Sequence, residues 1–515
     1  MTGEATYAYL VEMLEKEMLK AYPNFTRNKK GYGAFDKIAE NSKIAHLRGL
    51  FKDVICDPDR PVLYSRPGDG LYIFNGRFYE NIGDGADFLA ELVERTLKKL
   101  NVGSLYQMCA SDKIARSLIR TACSSERFMY NPDCRYVGFT NGIFDLKDGA
   151  LKPFGKDKCP RIVLDIEYTD PKTHYTNCAT KYGTFENPCK RWESFICEVI
   201  PNRQFREALQ CFCGAMLAPR DMIKIEYMAC IYGPGSNGKS VLAESIAKVF
   251  GKEYYSTFTP AQLFKQGSNS MFCVADLDGK ILNLTGDLDK ADFSSGEFKS
   301  FASGEDVRAR SPFGKKFKFV KPPMMLCCTN HLPKTDDDSQ GYHRRILPIL
   351  STEKMYVGAE RDTRLTYKLT QPDARCFIFS WIYEGYRKVM RNNGDIPLGA
   401  DVRNACEHAM NQSNSMRRWW GSGECRWRKP EQGEDGEWIA LKNGLYADYL
   451  RWCGDWNEKP FQPTEFGRML RSLGYSEEKG NVKKVSFGMA YLVKRRETET
   501  EETISDENIN NNGHE

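Results

Sequence analysis

Residues 226–250 read EYMACIYGPGSNGKSVLAESIAKVF, and this stretch decides the fold. The apolar run from Ile225 to Ile231 predicts a buried strand, and Val241 to Phe250 has helical spacing. Between them Gly233-Pro234-Gly235-Ser236-Asn237-Gly238-Lys239-Ser240 fits G-x-x-x-x-G-K-[ST] in the strand-loop-helix context that this pattern requires. The glycines let backbone N–H groups and the helix N-terminus face phosphate oxygens. Lys239 is then expected to neutralise the β- and γ-phosphates of ATP, and the Ser240 hydroxyl to ligate Mg²⁺. The fold class that follows is α/β with a P-loop core.

Working outward, a hydrolytic site needs an acid at the end of a second strand. Gly279-Lys-Ile-Leu-Asn-Leu-Thr-Gly-Asp287-Leu-Asp289 is an apolar strand ending in two carboxylates one residue apart. Asp287 is the expected acid and a Mg²⁺ ligand, with Asp289 beside it. A third strand from Pro323 ends at Asn330, a residue suited to hydrogen-bond a γ-phosphate or the attacking water. Arg344 and Arg345 precede another apolar strand and suit an arginine finger, which would reach a neighbouring subunit in a ring. Residues 308–321 hold six basic side chains and no acid, with Phe313-Gly314 at a hairpin tip. Backbone phosphates attract Lys and Arg, and an aromatic ring stacks on a base, so Arg308, Arg310, Phe313, Lys315, Lys316 and Lys318 are expected to touch nucleic acid.

The chain of 515 residues has room for several domains, and its mean hydropathy of −0.55 with 28% charged residues is that of a water-soluble globular chain. No apolar run is long enough to span a bilayer, and the acidic start MTGEATYAYLVEMLEKEM is unlike a secretory leader. Membrane association and export are not expected. The formal charge is +5, but residues 497–515 hold seven acids and no Lys or Arg, so the rest of the chain is more basic than that figure. The 18 cysteines are scattered and expected to be reduced. Cys211 and Cys213, like the set His174, Cys178 and Cys189, lack zinc-finger spacing and are expected to be structural rather than metal-binding.

Pattern divides the chain further. Residues 1–135 read as an α-rich accessory region without a catalytic motif, and 136–220 as short strands followed by helices of a collar. The core occupies 221–352. Residues 353–420 read as a helical extension, with helices over 373–391 and 398–420. Residues 438–494 read as helix, helix and β-ribbon, suggesting a winged-helix-like DNA-binding domain; the last stretch, 497–515, is expected to be disordered. In that C-terminal module Arg468, Arg471, Lys483 and Lys484 are the candidate DNA contacts.

The ordered set of P-loop, apolar strand with Asp-x-Asp, Ser303-Gly-Glu-Asp306 with the basic hairpin, Thr329-Asn-His-Leu-Pro333 and Gly-x-x-Arg-Arg-Ile resembles superfamily 3 helicases. More narrowly it is similar to the primase-helicase ATPases of phages, plasmids and poxviruses. Thr140-Asn-Gly-Ile-Phe-Asp-Leu-Lys-Asp-Gly and Pro463-Thr-Glu-Phe-Gly-Arg-Met-Leu-Arg471 extend the resemblance to about residues 136–494. It implies an AAA+-related ATPase, commonly hexameric, that draws one strand of single-stranded or forked DNA through its channel with 3′-to-5′ polarity. It also implies work in the cytoplasm of a bacterial host, beside a separate primase or polymerase. By the resemblance Asn330 is sensor 1, and Phe313, Lys315 and Lys316 form a pore loop. Residues 1–135 show no paired acids and His for two-metal nucleotidyl transfer, so no primase activity is expected in this chain. Two other functions fit the same motifs: an origin-binding initiator reading sequence through Arg468 and Arg471, and a scaffold or loader that binds ATP without translocating.

Overall fold

The computed structural model describes residues 3–21, 27–28, 31–32, 40–56, 62–66, 70–77, 79–100, 108–124, 135–155, 158, 160–264, 268–286, 296–310, 317–332, 342, 344–357, 362–413, 415–431, 434–458, 460–472, 474–475, 477–479 and 489–495. Its contacts divide the chain into two units, one of Met1–Asp287, Gly296–His331 and Ile349–Val402, the other of Leu288–Ser295, Leu332–Pro348 and Arg403–Glu515.

In the first unit, helices Gly3–Ala21, Glu40–Ile55, Ala86–Lys99 and Met108–Ser124 share an apolar core with the antiparallel meander Leu63–Arg66, Gly70–Phe74 and Tyr79–Asn81. Helix Ala86–Lys99 forms because Leu89, Leu92, Val93, Thr96 and Leu97 fall on one buried face. A four-stranded sheet follows, in the order Ala150–Lys152, Gly142–Asp145, Tyr136–Phe139, Ile162–Val163. Its first turn carries Asn141, whose side-chain amide donates to the Tyr168 carbonyl and accepts from the Tyr168 N–H. Asp145 is wholly buried and takes ion pairs from Arg135 and Lys152 together with the Lys147 and Asp148 N–H groups. Burial alone would raise its carboxyl, but those partners hold it well below the ordinary carboxylate range.

Helices Pro171–Glu186, Pro188–Val199 and Arg203–Ala215 come next, and Pro372–Arg391 packs across them. Gly214 and Gly385 permit that crossing: a Cβ on Gly214 would stand 2.0 Å from the Tyr386 nitrogen, and one on Gly385 1.9 Å from the Gln210 carbonyl oxygen. Side chains of any size would push the helices apart.

The central sheet has five strands in the spatial order Tyr255–Ser256, Leu282–Thr285, Met324–Thr329, Met228–Tyr232, Ile346–Leu350. Met324–Thr329 pairs parallel with both Met228–Tyr232 and Leu282–Thr285, and Tyr255–Ser256 parallel with Leu282–Thr285, with Cys230 beside Cys327 and Thr285 beside the same Cys327. Met228, Ala229, Cys230 and Ile231 are all fully buried, as a strand covered on both faces must be. The strand expected from Ile225 begins at Met228 instead; Ile225 lies upstream, where its carbonyl accepts from Arg220 at 2.6 Å. Helix Lys239–Phe250 leaves the first strand through the glycine-rich loop.

In the second unit, helices Ala400–Ser413 and Ser415–Gly421 cover most of the single helix expected over 398–420. Trp419, Tyr449, Phe466, Leu470, Tyr491 and Val493 centre its core. Strand Met489–Arg495 pairs antiparallel with Trp427–Arg428, Glu437–Ala440 and Glu477–Lys479. The first helix expected within 438–494 differs at its start: Leu441–Leu445 is a π-helical turn, and the α-helix proper is Tyr446–Asp455. A Cβ on Gly444 would stand 2.3 Å from the Ile439 side chain, so the wider turn brings backbone against the strand.

Candidate functional site

Three polar strand ends lie side by side on one edge of the central sheet. Strand Met324–Thr329 sits between the strand that feeds the glycine-rich loop and Leu282–Thr285, so Asn330 emerges between that loop and Gly286. The Asn330 side-chain oxygen is 4.0 Å from where a Cβ on Gly235 would stand. Ligands of open α/β sheets bind in this position, beyond the carboxyl ends of the strands.

The loop itself is tightly built. Gly233 (φ 145°) and Gly238 (φ 91°) adopt backbone angles that side chains disfavour, and a Cβ on Gly233 would stand 2.4 Å from the Ser351 Oγ. Asn237, buried, donates to the Ser351 Oγ and the Thr352 carbonyl, both at 2.8 Å, while the Ser351 hydroxyl donates to the Tyr232 carbonyl at 2.8 Å. The chain returning from the fifth strand therefore clamps the loop. Lys239 is buried, and its ammonium donates to the carbonyls of Gly233 (2.8 Å) and Pro234 (2.5 Å) and to the Asn237 Oδ1 (3.0 Å). Pro234, Gly235, Ser236 and Ser240 are exposed. No side chain caps helix Lys239–Phe250, so its N-terminus is suited to an anion, and the Lys239 ammonium stands in the same loop. Beneath them burial pushes the Cys328 thiol up to about 12, against the pull of the Lys239 charge.

The second strand ends at Thr285, and Asp287 and Asp289 lie outside the described residues. The Thr285 hydroxyl is buried and has no hydrogen-bond partner among the described residues. Arg344 is exposed and Arg345 buried, in the turn before Ile346–Leu350.

The basic segment forms a hairpin, Val307–Ala309 against Lys318–Val320, with Arg308 opposite Phe319. Phe313, Lys315 and Lys316 lie outside the described residues; Lys318 opens the return strand. Arg308 and Arg310 are exposed, and the Arg308 guanidinium lies 3.6 Å from the centroid of Phe317. Phe319 is 70% exposed and Phe317 45%. These two rings were not singled out as contacts from the sequence, although the alternation Lys316-Phe317-Lys318-Phe319 signals a strand with aromatics on one face. In the second unit Arg468 and Arg471 are exposed on helix Pro463–Ser472, whose Phe466 and Leu470 face the core; Lys483 and Lys484 lie outside the described residues.

Arg220 was also missed. Its guanidinium donates to the carbonyls of Ile225, Phe301, Ala302, Pro322 and Pro323, and burial lowers it to about 10. It ties the approach to the first strand to helix Gly296–Ser303 and to the start of strand Met324–Thr329, fixing the two strands together at their amino-terminal ends, opposite the site.

Two family profiles match the chain. One, described as "D5 N terminal like", covers residues 50–201; the other, a family of unknown function designated DUF5906, covers residues 231–345. The second spans the glycine-rich loop through Arg345, and the first reaches upstream of residue 136, where the sequence resemblance was read to begin. A protein of Acanthamoeba polyphaga mimivirus named "Putative helicase L207/L206" is 26% identical over 224 residues, which are 42% of this chain and 22% of that protein. The match thus spans about a fifth of the relative's length. Among solved structures, the apo C-terminal region of NrS-1 (305–718) aligns with a TM-score of 0.36 at 10% identity, over 60% of this chain and 76% of that one. A second form of that region gives 0.34 at 12%, over 66% and 69%. Likeness at that level decides nothing about the fold. No helix among the described residues is long and apolar enough to cross a membrane.

Proposed function

We propose that the chain is an ATP-driven DNA helicase of the superfamily 3 type, an AAA+-related ATPase working in replication as a ring, commonly a hexamer, with 3′-to-5′ polarity. The observation that carries this reading is the placement of the glycine-rich loop, Asn330 and the Thr285-Gly286 strand end on one edge of a parallel sheet, with a buried lysine in the loop. The family profiles and the viral relative named a helicase support it.

In this reading ATP takes the place of the carbonyls now bonded to Lys239, whose ammonium moves the short distance to the β- and γ-phosphates. Ser240 and Asp287 would hold Mg²⁺, which supplies charge neutralisation. Two observations fit that pair: Ser240 is exposed at the first turn of an uncapped helix, and the buried Thr285 hydroxyl beside Gly286 lacks a partner among the described residues. Asp287 or Asp289 orients the attacking water, and Asn330 hydrogen-bonds the γ-phosphate or that water. Arg344 or Arg345 acts on the nucleotide of a neighbouring subunit, a contribution of ~10³–10⁵ in rate for such fingers. The hairpin of Arg308, Phe317 and Phe319 contacts the strand. A primase or polymerase on another chain would complete the replication machinery. A second reading, an initiator that recognises sequence, is favoured by the exposure of Arg468 and Arg471 on a helix whose Phe466 and Leu470 face the core of a winged-helix-like module.

The test is ATP hydrolysis with and without single-stranded DNA, on the wild type and Lys239→Ala, with a forked duplex in parallel. DNA-stimulated hydrolysis that the substitution abolishes, coupled to strand separation, is the expected result. ATP binding without stimulation or unwinding would replace the motor by a scaffold or loader.

A further inference from the structure

Away from the sheet edge, three side chains able to ligate metal converge. His174 and Cys178 are one turn apart on helix Pro171–Glu186, so they project from the same face. Cys189 is the second residue of helix Pro188–Val199. A ring nitrogen of His174 and the sulfurs of Cys178 and Cys189 all lie within 4.8 Å of one another, and all three residues are buried. Sequence spacing gives no hint of this, because the corner between the two helices brings Cys189 back onto the His174 face. That corner is firmly held. Asn187 is itself buried, accepts from the Cys189 N–H at 2.9 Å and from the Lys190 N–H at 3.4 Å, and donates to the Tyr175 carbonyl at 3.4 Å.

We propose that His174, Cys178 and Cys189 bind a structural zinc ion. The donor set decides the metal: two thiolates and an imidazole suit Zn²⁺, whereas Mg²⁺ and Ca²⁺ take oxygen ligands. The surroundings have the features of a prepared site. The His174 Nε2 lies 3.6 Å from the Cys178 Sγ and 2.7 Å from the Asp373 carbonyl, so an ion bound at Nε2 takes the place of that backbone contact. The Asp373 carboxylate is in turn held by the Lys181 ammonium at 2.8 Å and the Tyr182 hydroxyl at 2.6 Å. A cavity of about 320 Å³, lined by His174, Cys178, Asn177, Lys181 and Asp373, gives the cluster an entry path. An ion here would pin the corner between the two helices. The site is independent of the helicase reading, since none of its residues belongs to the sheet edge.

The full-length chain, expressed in zinc-supplemented medium and dialysed into metal-free buffer without chelator, is assayed by inductively coupled plasma mass spectrometry. About one zinc per chain is expected in the wild type, falling to no more than about a tenth in Cys178→Ser and Cys189→Ser. His174→Cys, which keeps three soft ligands, should retain the ion where His174→Ala loses it. Should the serine variants fail to fold, the wild type refolded with Co²⁺ replaces them: it should show thiolate-to-cobalt charge transfer and the intensified visible bands of a tetrahedral site. Zinc-free wild-type protein, zinc content indifferent to Cys178, Cys189 and His174, or a cobalt spectrum without thiolate bands would each overturn the proposal.

Discussion

Lys239 and Arg220 are both cations surrounded by backbone carbonyls, and the contrast between them separates a group built to move from a group built to stay. The Lys239 ammonium bonds to Gly233, Pro234 and Asn237, two to six residues away within its own loop, and that loop is exposed at Pro234, Gly235 and Ser236. Four of the five carbonyls that Arg220 reaches lie 81 to 103 residues away, on segments that meet only when the sheet is assembled. A planar guanidinium with five donors can serve several fixed carbonyls at once; an ammonium on a flexible stem trades one acceptor for another at little cost. Lys239 can therefore exchange its carbonyls for a ligand's oxygens, while Arg220 leaves its place only if the fold opens.

The sharpest way to break this comparison is to remove each cation in turn. Arg220→Ala leaves several buried carbonyls without their donor, and should cost about 3–5 kcal/mol of unfolding free energy, read as a lower urea midpoint. Arg220→Lys should recover little of it, because one ammonium cannot span the carbonyls of Ile225, Ala302 and Pro323. ATP turnover per folded molecule should be much less affected. Lys239→Ala should do the reverse, cutting turnover by at least ~10²–10³-fold, the size typical of losing one preorganised electrostatic contact. Its urea midpoint should stay near the wild type. Activity loss in the first variant, or stability loss in the second that matches the first, would merge the two roles.

A third buried charge, Asp145, refines the contrast, because its partners Arg135 and Lys152 lie ten and seven residues away and yet are opposite in sign. The folded carboxyl is held below its unfolded value of ~3.9, so its stabilisation is fully present above that pH and is lost as pH falls toward the folded value. Asp145→Asn should therefore lower stability by on the order of 2 kcal/mol at pH 7, and by progressively less in titrations carried below pH 4. A pH-independent difference would show that the ion pairs contribute nothing beyond the hydrogen bonds an amide retains.

How much of this was legible in the sequence follows the same division between near and far. The glycine-rich loop, the strand before it and the helix after it were legible because each depends on neighbours within a few residues. The hairpin around Arg308 was legible from charge and from its turn, and helix Pro372–Arg391 from its apolar period. The insertion of strand Met324–Thr329 between the other two was not, since spatial order is set by sheet assembly and not by any one segment. Arg220 was hidden for the same reason. The convergence of Cys189 on His174 was hidden because it rests on the corner at Asn187. The π-helical turn at Leu441–Leu445 reads as plain helix because its period differs by too little over five residues.

The smallest effect tests the hairpin, where the comparison turns from buried cations to an exposed one. Arg308 rests on the face of Phe317, whereas Phe319 stands in solvent at 70% exposure. An aromatic ring held in water beside exposed Arg308 and Arg310 suits base stacking in single-stranded nucleic acid. Phe319→Ala should weaken binding of an oligothymidine by about 1 kcal/mol, roughly fivefold by fluorescence anisotropy, the low end for a stacking contact because Phe317 remains. The loss should persist at higher salt, since stacking involves no counterion release, whereas the weakening in Arg308→Ala should shrink as salt rises. Equal salt dependence in the two variants would assign Phe319 to packing that supports the arginines, and the hairpin would then act through charge alone.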